Sequence, residues 1–279
     1  MTKKMKSSES IESMMSKALL RSGYVLESRI VHALVQNGFF VEPNQRILDP
    51  TTGKSREIDL VTELWDSVHE KSHFKTRVCV TVHFVCEVKN NPYPIVLLTE
   101  LPFSPALETW DSLHESRTGF FRDEHLDPSF FDFLTDGQKP YTQYCSFKPK
   151  KTGKDSEWLA WHPDDFHDDL ENIISYCRLK AKQMEGLNDD YHRLFLYMPV
   201  VILGGDLYVA RPQDATMAPS KVDAALHMHF GIHEGEQCLS LVLFVTEENC
   251  LTLFDKVIRF GQDLEAMAFQ KLTSEDTQS

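Results

Sequence analysis

Between residues 77 and 89 apolar side chains follow one another with few interruptions (Val78, Cys79, Val80, Val82, Phe84, Val85, Cys86, Val88), and the run predicts a buried strand, the clearest strand signal in the chain. Two shorter strands precede it, Phe39–Leu48 and Glu57–Thr62. Asp49-Pro-Thr-Thr-Gly53 between them is turn chemistry, so the two read as a hairpin. Upstream, a helix opens at Gly23 and runs to about Asn37, with Gly38 as its stop signal; a weaker helical pattern covers Glu9–Leu20. Residues 1–8 read as disordered, and about 64–76 as a polar loop. Residues 91–162 carry several prolines and many aromatics with no sustained period, and read as an insertion. Periodicity returns in a helix that starts at Pro163-Asp164-Asp165 and ends near Met184. Its apolar stripe is Leu170, Ile173, Ile174, Cys177, Ala181 and Met184, with acids at its start and Arg178, Lys180 and Lys182 near its end, as the helix dipole favours. Leu194–Leu203, Leu207–Ala210, Ala225–Ile232 and Cys238–Thr246 read as strands, Gly204-Gly205-Asp206 as a hairpin turn, Cys250–Phe269 as a closing helix and 271–279 as a flexible tail.

This order predicts a mixed α+β chain, a mixed sheet flanked by helices. Residues 9–270 form a single elaborated domain, with a core of 20–90 and 163–270 and a large insertion after the third strand.

Composition narrows the picture. A hydrophobic content of 42% with 25% charged residues is that of a globular protein. No apolar run is long enough for a bilayer and no apolar segment follows the basic start, so the expectation is a cytoplasmic protein without a membrane partner. The six cysteines (79, 86, 145, 177, 238, 250) form no C-x-x-C pair and read as reduced thiols. The formal net charge of −13 argues against a protein that coats duplex DNA indiscriminately. It leaves room for a site that needs carboxylates and a local basic patch.

The candidate chemistry sits at the end of the long strand. In Val82-His-Phe-Val-Cys-Glu-Val-Lys89, alternation puts Val85, Glu87 and Lys89 on one face. A charged pair at the end of a buried strand is costly unless something compensates it. A metal ion with a catalytic water would do so. Glu87-Val88-Lys89 is the only Asp/Glu-x-Lys in the chain. Asp59, in Glu57-Ile-Asp-Leu-Val61, has Ile58 and Leu60 on the opposite face. It stands beside Glu87 if the two strands pair, and two carboxylates with an open position suit Mg²⁺. Glu27 shares the helix face of Ile30, Val31 and Leu34.

Glu27 in the first helix, Asp59 in the second strand and Glu87-Val88-Lys89 ending the third resemble the PD-(D/E)xK nuclease superfamily, the restriction-endonuclease-like fold. The resemblance covers about residues 20–90, with a weaker continuation through 163–184 and 194–203. It implies a Mg²⁺-dependent endonuclease, with Mn²⁺ able to substitute, that hydrolyses phosphodiester bonds in DNA, in restriction, phage defence or repair. By position Asp59, Glu87 and the Val88 carbonyl would be metal ligands, Lys89 would act on the attacking water and the phosphate, and Glu27 would support the metal. Two departures stand: Ile, not Pro, precedes Asp59, and no Gln-x-x-x-Tyr follows. A catalytically silent nuclease-fold interaction module and an RNA-directed nuclease remain open alternatives.

Further residues suit such a role. Asn90 follows the motif directly and is a candidate phosphate contact, although a loop Asn needs no function. Lys148, Lys150, Lys151 and Lys154 make a basic run near Phe147 and Trp158, a candidate nucleic-acid surface, with a solvated loop as the alternative. The 91–162 insertion is also the candidate surface for a homodimer or a protein partner. His227-Met-His229 puts two imidazoles on one strand face, a spacing that permits zinc but also suits a strand edge. Asp164, Asp165, Asp168 and Asp169 read as helix-start acids.

Overall fold

In the structure, a computed structural model, residues 10–48, 53–64, 78–101, 113–123, 139–152, 155–184, 191–213, 216–233 and 236–276 are described. The expectations for residues 1–8, for the turn at 49–52, for most of the 64–76 loop and for 277–279 lie outside them.

The elements, in chain order, are α1 (Ile11–Arg21), α2 (Tyr24–Gln36), β1 (Phe39–Leu48), β2 (Ser55–Leu64), β3 (Val78–Lys89), β4 (Ile95–Glu100), β5 (His114–Arg117) and a helical turn α3 (Phe120–Asp123). They continue with β6 (Tyr141–Thr152), β7 (Asp155–Trp161), α4 (Asp164–Met184), β8 (His192–Leu203), β9 (Leu207–Gln213), β10 (Thr216–Val222), β11 (Ala224–His233), β12 (Glu236–Thr246) and α5 (Cys250–Asp276). The strands form one mixed sheet in the order β1-β2-β3-β8-β12-β11-β6-β4-β9-β10, with β5 added to β8 and β7 to β6.

Its centre is the parallel pair β3 and β8, in register from Val78↔His192 to Lys89↔Leu203. Parallel strands are covered on both faces, which is why both read as near-continuous apolar runs. One face packs against α2 and α5, through Leu26, Ile30, Leu34, Phe254 and Val257 over Phe84, Cys86, Met198 and Val200. The other packs against α4, through Phe166, Leu170, Ile173, Ile174 and Cys177 over Val85, Val201, Val242 and Phe244. Among the described residues no helix is long and apolar enough to cross a membrane. All six cysteines are free.

Four expectations are corrected. The stretch after β3 is not a separate insertion: β4 pairs with both β6 and β9, and β6 with β11, so this stretch completes the main sheet. Gly204-Gly205-Asp206 is not a hairpin turn, because β8 and β9 do not pair with each other. Instead the parallel β3/β8 ribbon breaks at this point and resumes as the parallel pair β4/β9. The crossing is tight: Gly204 N–H donates to the Lys89 carbonyl, and a Cβ on Gly205 would stand 2.5 Å from the Asn91 carbonyl oxygen. Strand β10 is additional; it lies at the end of the sheet order and contains Pro219, which an edge strand tolerates. The closing helix also continues past Phe269 to Asp276, so much of the expected tail is helical.

The core is sealed where Phe84 of β3 stacks on Phe254 of α5, with centroids 3.8 Å apart and rings within 5° of parallel. Both side chains are fully buried. Phe254→Ala is expected to lower unfolding free energy by about 3–5 kcal/mol. Urea titration followed by circular dichroism measures this, and a loss below about 1 kcal/mol would show that α5 contributes little to the sheet.

Candidate active site

The β1–β2 hairpin and β3 run antiparallel, but their pairing stops at Leu60↔Cys86. One more step of that register would set Asp59 opposite Glu87. In place of a backbone bond at that level, the Val88 N–H donates to Asp59 Oδ2 at 2.7 Å. The two strands part here.

The cause lies in the hairpin. Asn44 takes φ 53°, a left-handed conformation uncommon for a residue other than glycine. The flanking pairs Pro43↔Leu60 and Gln45↔Ile58 put Asn44 opposite Asp59. Alternation would give Ile58 and Leu60 one face. They instead belong to the two core clusters on opposite sides of the sheet. The expectation that both lie opposite Asp59 is therefore corrected: β1 and β2 turn over at Asn44 and Asp59. The turn-over frees the Asp59 carboxylate to bridge to β3.

Glu87 is 6% exposed. Its Oε1 accepts from Lys89 Nζ at 2.8 Å, and the same ammonium is ion-paired to Asp169 of α4. Burial, and after it the charge on Asp59, pushes the Glu87 carboxyl up to about 8, against the pull of Lys89. Asp59 is also raised, mainly by burial, although the Val88 N–H and Lys89 favour its charged form. Burial works against the Lys89 charge, but Glu87 and Asp169 outweigh it and hold the ammonium above its ordinary value. Glu27, half-buried on α2, is raised by partial burial and then by Asp59 and Glu57.

The structure thus brings together Asp59, Glu87, Val88 and Lys89, with Glu27 within electrostatic reach. A residue's N–H and C=O point to the same edge of a strand, so the Val88 carbonyl faces the edge at which Asp59 stands. These groups fit a hard divalent cation: two neighbouring carboxyl groups and a carbonyl oxygen turned toward Asp59, with burial and a like charge raising the Glu87 carboxyl where a cation would compensate it.

Asp169 is the residue that sequence reasoning assigned elsewhere. It lies one helical turn before Ile173, at the border of the α4 apolar stripe, and that spacing was the available signal. Asn90 has a structural role: its Nδ2 donates to the Leu20 and Ser22 carbonyls and ties the α1–α2 turn to the end of β3. That amide is already engaged within the fold. Lys148 and Lys150 are exposed on the β6–β7 hairpin, with Lys148 Nζ 4.8 Å from the centroid of the Trp161 ring. The Lys151 side chain and Lys154 lie outside the described residues. Trp158 of this hairpin packs edge-on against Tyr93, with centroids 5.7 Å apart, in the turn that follows Lys89.

Comparison with protein-family models, with curated proteins and with solved structures finds no match to this chain.

A carboxyl whose pKa rises on folding keeps its proton longer in the folded state, so stability is lost as pH rises from its ordinary value to the raised one. For Glu87 that window runs from about 4.5 to about 8. In EDTA, Glu87→Gln is expected to match the wild type near pH 4.5 and to exceed it near pH 8 by roughly 4 kcal/mol. Equal stability of the two proteins at pH 8 would mean that Glu87 ionises without cost.

Proposed function

We propose that this protein is a divalent-metal-dependent nuclease of the PD-(D/E)xK kind that hydrolyses phosphodiester bonds in nucleic acid, DNA in preference to RNA. The observation that carries the proposal is the divergence of β2 and β3 at one point, where Asp59 caps the Val88 N–H while Glu87 and Lys89 project beside it.

Asp59, Glu87 and the Val88 carbonyl would hold Mg²⁺, or Mn²⁺ in its place. A bound ion of this kind polarises a phosphoryl oxygen and lowers the pKa of water. Lys89 supplies a positive charge held in place by two carboxylates. Once a cation satisfies Glu87, the ammonium can turn toward a phosphate and stabilise the negative charge that develops there. Glu27 adds negative potential and so favours cation entry. The exposed Lys148, Lys150, Trp158 and Trp161 offer cations for the backbone and rings for stacking, beside the turn that ends the motif. A local patch of this kind reconciles nucleic-acid binding with a net charge of −13.

One observation favours a catalytically silent interaction module instead. Lys89 already has two carboxylate partners, and a closed ion-pair network needs no substrate.

Cleavage assays separate the two readings. Linear, circular and single-stranded DNA, with RNA alongside, would be incubated with the protein in Mg²⁺, Mn²⁺ or EDTA. Asp59→Ala, Glu87→Ala and Lys89→Ala are each expected to keep the fold and to slow cleavage by about 10²–10⁴-fold. Cutting by Asp59→Ala at the wild-type rate would remove the assignment. No cutting and no Mg²⁺ or Mn²⁺ binding by the wild type would leave the interaction module.

The hairpin makes a separate prediction. Lys148→Ala with Lys150→Ala is expected to weaken nucleic-acid binding and to reduce the slope of log affinity against log salt by about 1–2. An unchanged slope would place the binding surface elsewhere.

A further inference from the structure

A second group of ligating side chains lies on the same face of the sheet, away from Glu87. His167 and Glu171 are four residues apart on α4 and so share one helix face. His229 of β11 meets them. One ligand atom from each of the three lies within 4.8 Å of the others, and among the described residues this is the only such group of three. His229 Nε2 and Glu171 Oε1 are 2.8 Å apart, and the His167 and His229 rings are 5.1 Å apart. β11 stands three strands from β3 in the sheet, about 14 Å at ordinary strand spacing, so this cluster is distinct from the Asp59–Glu87 site.

Two independent features prepare the place. Gly231 follows His229 on the same face of β11, and a Cβ there would stand 2.7 Å from Glu171 Oε1. The carboxylate stands where a Cβ at 231 would be, so a larger residue there would push the Glu171 side chain aside. His227, two residues before His229, has its ring 5.8 Å from that of His229. It is 2% exposed, and its Nδ1 is buried with no hydrogen-bond partner. Such a nitrogen is costly when unsatisfied and marks this face of β11 as polar inside the core, with His227 itself outside the three ligands.

The donor set selects the ion. Two imidazoles and one carboxylate match Zn²⁺ with three protein ligands and an open position, and are too rich in nitrogen for Mg²⁺. Bond lengths near 2.1 Å put tetrahedral ligand atoms about 3.4 Å apart. The Glu171–His229 contact would need to open slightly and His167 to turn inward. His167 is exposed and free to do so. We propose that His167, Glu171 and His229 form a zinc site that clamps α4 to β11, separate from the nuclease site and independent of whether that site cleaves anything.

The test uses tag-free, full-length protein stripped with chelator and titrated with ZnCl₂ in a calorimeter. The wild type and an Asp59→Ala/Glu87→Ala double variant are each expected to bind one Zn²⁺ per chain at this site. His167→Ala, which removes an exposed side chain, and Glu171→Gln are expected to weaken that binding by about 100-fold with unchanged circular dichroism. Zn²⁺ is also expected to raise the thermal midpoint of the wild type and of the double variant, but not of His167→Ala. The proposal fails if the wild type binds no zinc, if His167→Ala and Glu171→Gln bind it as the wild type does, or if the double variant loses it. The last result would assign the ion to the nuclease site.

Discussion

The parallel pairing of β3 with β8 is the constraint from which the rest of the architecture follows. Twelve consecutive residue pairs lock Val78–Lys89 to His192–Leu203. A parallel pair cannot close through a tight turn, so a long crossover must join the two strands, and it adds β4, β5 and β6 to the same sheet on the way. Here it returns through α4, which covers one face, while α2 and α5 cover the other. The pairing also sets where the candidate site lies. Register is held firmly up to Lys89, so Glu87 and Lys89 have fixed positions at the edge of a rigid element, which is what a site needs to keep its geometry.

Rigidity on the β8 side makes the looseness on the β2 side useful. Had β1 and β2 continued flat, Val88 would have found a backbone carbonyl, and Asp59 would have been one more strand residue. The left-handed Asn44 interrupts the ladder at one position. The hairpin then turns over, and a carboxylate replaces the missing backbone acceptor. An irregularity costing on the order of 1 kcal/mol or more is tolerated because the surrounding pairs over-determine it. It leaves two carboxyl groups close together in a poorly solvated place, where burial and the charge on Asp59 raise the Glu87 pKa.

Part of this was legible in the sequence. Apolar runs marked β3 and β8, turn residues marked the hairpin, and the unique Glu87-Val88-Lys89 pointed to the end of β3. The neighbourhood of Asp59 and Glu87 followed from assuming that adjacent strands pair. The remainder depended on contacts distant in sequence. β4 is only six residues long and β6 carries a proline and several aromatics that hide its period, so their partners β9 and β11 reveal them as sheet. The exposed β10 has no apolar alternation to read. Asp169 looks like a helix-start acid until the packing angle of α4 brings it to Lys89. The turn-over at Asn44 has no signature in single-residue propensities, since Asn is common in ordinary turns.

Helix α4 links the two polar centres of the molecule. Its inward stripe, Phe166, Leu170, Ile173, Ile174 and Cys177, holds it against the sheet by apolar contact, which is strong but tolerant of small slides along the helix axis. Polar contacts at either border of the stripe are directional and resist such slides. Asp169 reaches toward β3 and Glu171 toward β11. Two residues apart on a helix, these side chains point about 200° from one another around the axis, so they brace the helix from opposite sides. A change at one border is therefore felt at the other as a rotation or a shift of the same rigid rod.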